Sequence, residues 1–185
     1  MIVPAAAFAG SVTAKYRAED AAGVAAWLDA NLPKLMEVYE HLHANPELSL
    51  HEKRTAALVA DHLSKAGYQV TTGVGGHGVV GVMSNGDGPT VLVRGDMDGL
   101  PIVEETGVAY ASQVKFTRPD GTKVGVMHAC GHDVHTTSLI GAAGALAAMK
   151  DRWSGTLVMI AQPAEEVGLG AKAMIDDGLF ERFDR

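Results

Sequence analysis

The chain has 185 residues, of which 47% are hydrophobic, enough for one globular domain with a substantial core. The net charge of -7 excludes nucleic acid and anionic membranes as favoured partners, because both would be repelled. The expected partners are therefore small molecules. No apolar run reaches the roughly eighteen residues of a membrane-spanning helix, so none is predicted. The single cysteine excludes an internal disulfide.

Residues 1–20 are predicted to be an N-terminal extension or the remnant of a signal peptide. The segment from Met1 to Gly10 is apolar, and its Ala-Phe-Ala end resembles a signal-peptidase site, but the usual positively charged region is lacking. A signal-peptide remnant and a frayed N-terminus both stay open. The expected location is therefore cytoplasmic, or periplasmic if the segment is a remnant.

Apolar residues recur at helical spacing from residue 21 to 44. A break or kink is expected at Asn31-Leu32-Pro33, since proline disrupts a helix interior, so this segment predicts two helices or one bent helix. His41 and His43 lie near its end. We interpret both as solvated or cap-adjacent histidines.

A second helix is predicted from residue 51 to 66, and Gly67 ends it. Ser49 is a candidate N-cap. Glu52, three residues later, would complete a capping box.

Three strands are predicted next, at residues 68–74, 79–83 and 90–93. Residues 73–78 match the G-x-G-x-x-G pattern of dinucleotide sites, but a strand rather than a helix follows, so we interpret the segment as a glycine loop. Asn85-Gly86-Asp87-Gly88, between two apolar runs, predicts a β-hairpin.

Asp96 and Asp98 follow the third strand, at the carboxyl end where an open α/β sheet presents functional groups. One of these carboxylates could bind a metal ion or orient a histidine ligand. The alternative interpretation is a surface turn.

The segment from Met127 to Thr136 concentrates five side chains that bind metals or carry protons: His128, Cys130, His132, Asp133 and His135. A thiolate and an imidazole suit zinc-like ions, and the glycine between Cys130 and His132 lets both point at one spot. Asp133 is a candidate N-cap for a helix over residues 134–149. The alternative is a half-buried cysteine with incidental histidines.

A continuous apolar run predicts a strand at 156–161 that is covered on both faces. Glu165 and Glu166 follow it, and adjacent glutamates at a strand end face different ways. We therefore expect the two carboxylates to have different roles: one binds metal and the other transfers a proton. The alternative is a solvated pair that opens a helix. A short helix is predicted at 171–177.

Four segments stand in a specific order and spacing: residues 93–101, 104–107, 127–135 and 162–166. The motif His-Ala-Asn-Pro-Glu-Leu at 43–48, followed by Glu52 and Thr55, precedes them. Together they resemble the metal-dependent amidohydrolases of the aminoacylase and carboxypeptidase superfamily, which includes hippurate hydrolases and indole-acetyl-amino-acid hydrolases. The match extends from about residue 35 to the end of the chain.

The resemblance implies an α/β fold of three layers, in which helices flank a central mixed sheet, as in dinuclear metallopeptidases. It implies two divalent metal ions, zinc or manganese. It also implies that Cys130, His132 and Glu166 bind metal, that Glu165 is the catalytic general base, and that Asp98 is an acid behind the ligands.

The activity implied by the resemblance is hydrolysis of the amide bond in N-acyl-amino acids to a carboxylic acid and an amino acid. Two alternatives stay open: a dipeptidase or carboxypeptidase of the same superfamily, and a non-catalytic metal-binding module. Glu165 discriminates between a catalytic and a structural site, because a structural site needs no free carboxylate beside the ligand Glu166.

The resembled family has two further histidine ligands, and a small lid domain between them, but no histidine follows His135 here. Residues 21–185 are therefore predicted to be the N-terminal part of an incomplete catalytic domain that lacks the lid. Such a fragment is expected to bind metal weakly and to have little activity. A homo-oligomer would form through the missing lid domain.

Overall fold

The computed structural model describes residues 18–183, so most of the extension predicted for residues 1–20 lies outside the described residues. Within them, none of the helices is both long enough and apolar enough to cross a membrane. The elements, in chain order, are α1 Ala18–Ala44, α2 Lys53–Lys65, β1 Gln69–Val74, β2 Gly78–Asn85, β3 Thr90–Asp96, β4 Lys115–Thr117, β5 Lys123–Gly125, α3 His132–Ala148, a 3-10 turn Lys150–Arg152, β6 Gly155–Gln162, α4 Gly170–Asp176 and α5 Leu179–Phe183.

The main sheet has the strand order β1-β2-β6-β3. The pairs β1/β2 and β2/β6 are antiparallel, whereas β3 and β6 are parallel. The predicted mixed sheet is therefore confirmed. Strands β4 and β5, which were not predicted, form a separate small hairpin.

The predicted hairpin at residues 85–88 is wrong, because β6 lies between β2 and β3. The Asn85 side-chain amide donates to the carbonyls of Lys150 and Trp153, at 2.7 and 2.6 Å. These bonds tie the loop to the segment that enters β6. Gly155 then passes so close to the Pro89 carbonyl that a Cβ would lie 2.2 Å from it, so only glycine fits this crossing.

Helices cover both faces of the sheet, which confirms the predicted three layers. Successive side chains of β6 point to opposite faces. Leu157 and Met159 join the core against α2 and α3, whereas Val158 and Ile160 pack with Met174 of α4 on the other face. This arrangement explains the continuous apolar run of β6.

Helix α1 is one continuous helix that contains Pro33, with no second helix after the proline. It packs on α3 where glycines remove side-chain bulk. A Cβ on Gly144 would lie 2.8 Å from the Trp27 ring, and one on Gly141 would lie 3.2 Å from Leu35. Contact with α3 therefore supports α1 despite the hydrogen bond that Pro33 cannot donate.

The predicted capping box of α2 is wrong. Glu47, rather than Ser49, accepts hydrogen bonds from the first amides of the helix, at 2.8 Å from the nitrogens of Arg54 and Thr55. Ser49 instead donates to Asp98. The prediction failed because a capping box pairs two neighbouring side chains with the helix start, whereas Ser49 donates to Asp98 and Glu52 accepts from Ala164, 49 and 112 positions away.

The glycine loop predicted at residues 73–78 is confirmed as the turn that joins β1 and β2. Gly75 and Gly76 have φ values of 62° and 107°, which L-residues with side chains rarely adopt. The segment opens no helix, in agreement with the interpretation against a dinucleotide site.

Candidate metal centre

The predicted site residues converge at one edge of the main sheet. Strands β3 and β6 are parallel and end in register, with Asp96 opposite Gln162. The loops that follow them carry Asp98 and the glutamate pair. Helix α3 lies between β3 and β6 in the chain. It begins at the same edge of the sheet, because a helix that connects two parallel strands starts near the carboxyl end of the first strand.

Helix α3 begins at His132, after Gly131 in the left-handed conformation with φ 79°. The prediction that Asp133 caps this helix is wrong. Asp133 lies in the first turn instead, and its carboxylate accepts a hydrogen bond from the side chain of His43. The glycine between Cys130 and His132 makes the turn that the sequence indicated.

Cys130, His132 and Glu166 form a compact group. One potential ligand atom from each lies within 4.8 Å of the others. His132 is buried, Glu166 is half-buried and Cys130 is exposed. His132 Nε2 lies 3.7 Å from Glu166 Oε1, and this buried oxygen has no hydrogen-bond partner. The group thus presents sulfur, nitrogen and oxygen donors to a common point.

Asp98 lies behind this group and forms hydrogen bonds with several of the surrounding residues. His132 Nδ1 lies 2.9 Å from the Asp98 carbonyl and 3.2 Å from its carboxylate, and both are acceptors, so Nδ1 donates and Nε2 is free to face the group. The other carboxylate oxygen accepts from Ser49 Oγ at 2.6 Å and from the Glu166 amide at 3.1 Å. Burial alone would raise the pKa of Asp98, but these hydrogen bonds lower it to about 2.

Glu165 stands beside the group and is less buried than Glu166. Its side chain is 40% exposed, and its carboxylate lies 3.8 Å from His132 Nε2. The two adjacent glutamates therefore occupy different environments. This difference fits the predicted division between a ligand and a proton carrier.

The thiol of Cys130 lies among acidic side chains. A hydrogen bond to Glu166, some burial and the charges of Glu165 and Asp96 raise the pKa of this thiol. Without a cation the negative charges oppose formation of the thiolate, whereas a divalent cation would favour it. The electrostatics of the group therefore suit a metal ion.

Asp96 and His135 form a second group that also involves His132. His135 Nδ1 is hydrogen-bonded to Asp96, and His132 Nε2 lies 3.5 Å from the same carboxylate. Because Nδ1 of His132 is occupied by Asp98, a metal ion can take only Nε2. His132 can therefore serve one of the two groups at a time.

His128 was counted among the five candidate side chains, but it does not join either group. Its ring is buried and neither nitrogen has a hydrogen-bond partner. Burial lowers its pKa to about 4, so it is neutral near pH 7.

The interpretation of His43 as a solvated or cap-adjacent residue is wrong. His43 is buried and bridges two carboxylates, with Nδ1 2.6 Å from Asp133 and Nε2 2.8 Å from Glu104. His41, by contrast, is exposed, as expected. Residue spacing along α1 could not reveal His43, because its partners are 90 and 61 residues away. The family motif at residues 43–48, which begins with His43, was the feature of the sequence that could have indicated a role for this histidine.

Residues 92–185 match the pattern of peptidase family M20/M25/M40. The hippurate hydrolase of Campylobacter jejuni is 47% identical over 149 residues, which are 80% of this chain and 36% of that protein. Thermostable carboxypeptidase 2 of Saccharolobus solfataricus is 44% identical over 154 residues, 81% of this chain and 37% of that protein.

Among solved structures, the chain is similar to the YxeP protein of Bacillus subtilis, a dinuclear metal-binding peptidase from the M20 family. The TM-score is 0.73 at 34% identity, and the match covers 82% of this chain and 40% of that one. The chain thus spans well under half the length of these relatives. The family pattern, the relatives and the shared fold agree, and the chain belongs to peptidase family M20/M25/M40.

Proposed function

We propose that this chain carries part of a metal centre that hydrolyses the amide bond of N-acyl-amino acids. Cys130, His132 and Glu166 bind the metal, Glu165 acts as the general base, and Asp98 orients His132. The observation that carries the proposal is the meeting of thiol, imidazole and carboxylate within 4.8 Å, from the segment that opens α3 and from the loop that follows β6.

The donor set fits a divalent metal ion. Thiolate, imidazole and carboxylate are ligands that zinc accepts, and manganese accepts the nitrogen and oxygen donors. The buried Glu166 Oε1 has no partner in the protein, as expected for an atom reserved for a ligand. The M20 relative of known structure is dinuclear, which supports two divalent ions, zinc or manganese, in the whole protein.

The three ligands do not complete a two-ion site, because His132 supplies a single nitrogen. The chain spans only 36% to 40% of the relatives described above. We therefore propose that residues 21–185 are the N-terminal part of the catalytic domain. In this proposal the remaining ligands and a lid domain, which would also mediate any homo-oligomer, belong to the rest of the protein.

A bound divalent ion would lower the pKa of a water molecule and polarise the scissile carbonyl. Glu165 is exposed enough to meet solvent and substrate, and it accepts the proton of the attacking water. It then returns the proton to the leaving amine. Asp98 accepts a hydrogen bond from Nδ1 of His132, and this bond holds the imidazole ring with Nε2 facing the metal group.

The hippurate hydrolase relative supports an N-acyl-amino acid as substrate. The carboxypeptidase relative, at similar identity, supports the alternative of a dipeptidase or carboxypeptidase. A non-catalytic metal-binding module is a further alternative. Such a module would have no use for the half-exposed carboxylate of Glu165 beside the ligand Glu166.

The first experiment measures bound zinc and manganese in the 185-residue chain and in Cys130→Ser and Glu165→Gln variants. Hydrolysis of hippurate and of N-acetyl-amino acids is followed in parallel. We expect Cys130→Ser to lose metal. We expect Glu165→Gln to keep it while any hydrolysis falls by a factor of about 100 or more.

Equal loss of metal in Glu165→Gln and Cys130→Ser would contradict the division between base and ligand. Unchanged hydrolysis in Glu165→Gln would contradict its role as the base. Faster cleavage of dipeptides than of N-acyl-amino acids would favour the peptidase alternative.

A further inference from the structure

Glu52 is a fully buried carboxylate outside the metal group, with 0% of its surface exposed. Its Oε1 accepts hydrogen bonds from the amides of Leu50, at 3.0 Å, and Ala164, at 2.7 Å. Its Oε2 is buried without a partner, and burial raises its pKa despite the amide bonds. Glu47 already caps α2, so helix capping does not explain why this carboxylate is buried.

The two residues that Glu52 contacts share an unusual backbone conformation. Among the described residues, Leu50 and Ala164 are the non-glycine residues with positive φ, at 69° and 50°. This conformation is unfavourable for L-residues, because Cβ approaches the carbonyl oxygen. A single carboxylate oxygen therefore stabilises both strained positions.

Ala164 begins the turn that carries the two site glutamates. Its carbonyl accepts from the amides of Leu169 and Gly170, and the Glu165 carbonyl accepts from Gly168. Gly170 lies so close to Pro163 that a Cβ would be 1.5 Å from the Pro163 carbonyl oxygen. The turn is therefore compact and has little freedom to rearrange.

Two buried carboxylates hold the start of this turn, each at one backbone amide. Asp98 accepts from the Glu166 amide, and Glu52 accepts from the Ala164 amide two residues earlier. Glu165 lies between these two bonded amides, and Glu166 carries the second of them. The two hydrogen bonds restrain the backbone from which the side chains of Glu165 and Glu166 project.

We infer that Glu52 is a positioning residue that fixes the 163–166 turn and thereby sets the geometry of Glu165 and Glu166. The consequence for metal binding rests on the function proposed above. The hydrogen-bonding role of Glu52 does not depend on that function. The positioning role of Glu52 and the proposed metal centre can therefore be disproved separately.

The test uses the 185-residue chain with Glu52→Met, which keeps side-chain volume but has no acceptor, and Glu52→Gln, which keeps an acceptor oxygen. The matched control is Glu47→Ala, which removes the cap of the same helix without touching the turn. Amide hydrogen exchange is followed by NMR at Ala164 and at 168–170. Cobalt affinity is measured by the thiolate-to-cobalt absorption of Cys130, alongside thermal unfolding.

In the wild-type chain we expect slow exchange at the Ala164 amide. In Glu52→Met we expect exchange at Ala164 to rise about fivefold or more, since one hydrogen bond is lost. Cobalt affinity should fall about 10- to 100-fold, as when other groups behind metal ligands are removed. Glu52→Gln should stay close to wild type, and Glu47→Ala should lower thermal stability without changing either readout.

Fast exchange at Ala164 in the wild-type chain would overturn the inference without any variant. Equal cobalt affinity in Glu52→Met and the wild-type chain would also overturn it. An equal loss of cobalt affinity in Glu52→Gln and Glu52→Met would overturn it as well. If the wild-type chain binds no cobalt, the proposed metal centre fails, while the exchange data still decide whether Glu52 holds the turn.

Discussion

The charge and hydrogen bonds of one residue, Asp98, connect three parts of the candidate centre. Its carboxylate contacts His132, Ser49 and the backbone of Glu166, which belong to different elements. A buried carboxylate with these donors stays ionised at low pH. It therefore couples the orientation of His132 to the position of Glu166.

Asp98→Asn should reduce the stability of the metal-free chain by about 2 kcal/mol near neutral pH, a value that follows from lowering the pKa from 3.8 to about 2. Because the folded-state pKa is the lower one, this stabilisation is fully present above pH 3.8. It is lost as the pH falls through about 2. Urea unfolding of both proteins across this acid range measures the difference.

The variant and the wild-type chain should therefore converge in stability at the acid end of the range. A difference that stays constant with pH would show that the charge of Asp98 is not the source of its contribution.

At the scale of elements, His43 joins the end of α1 to the start of α3 and to the loop after β3. Both ring nitrogens face carboxylates, on Asp133 and Glu104, so both must donate and the ring is protonated. Burial lowers the pKa of His43, but the two hydrogen bonds raise it above its ordinary value. Thr106 and the Ser112 amide complete the bonds to Glu104.

His43→Leu should destabilise the chain by about 3 kcal/mol or more, because it leaves two buried carboxylates without their cation. The raised folded-state pKa means that the stabilisation by His43 is fully present below about pH 6.5, the ordinary histidine value. It is lost as the pH rises through the folded-state value. Chemical denaturation at a series of pH values measures this loss.

The matched control is His41→Leu, since His41 lies on the exposed side of the same helix. We expect it to change stability little. A comparable loss in both variants would mean that helix propensity, and not the bridge to Asp133 and Glu104, explains the effect.

Across the whole molecule, the main sheet has two edge strands within residues 18–183, β1 and β3. Strand β3 pairs with β6 and has no second neighbour there. Val91 and Leu92, on opposite faces of β3, are 47% and 45% exposed. An exposed apolar edge strand is prone to pair with another chain.

The isolated 185-residue chain should therefore self-associate with increasing concentration, and Val91→Lys should reduce this association. A charged side chain on an edge opposes strand pairing without removing core contacts. Sedimentation velocity over a range of concentrations measures the effect. A wild-type chain that stays monomeric at every concentration would contradict the prediction.

Much of the local structure was predictable because it depends on neighbouring residues. The apolar run of β6, the glycine loop before β2 and the turn at Gly131 are each specified within a few residues. The prediction that Cys130 and His132 lie together also depended on neighbouring residues, since they are two positions apart in the sequence. The pairing of Glu166 with them came from the family resemblance, and the geometry is compatible with it.

Patterns among neighbouring residues predicted the types of the main elements and the short segments of the candidate site, and the family resemblance predicted the mixed three-layer fold. The folded chain alone reveals that β6 separates β2 from β3, that His43 bridges Asp133 and Glu104, and that Glu52 accepts from the Ala164 amide. The cause of this difference is sequence separation. These hydrogen bonds and strand pairs join residues 61 to 112 positions apart, and local spacing carries no information about such partners.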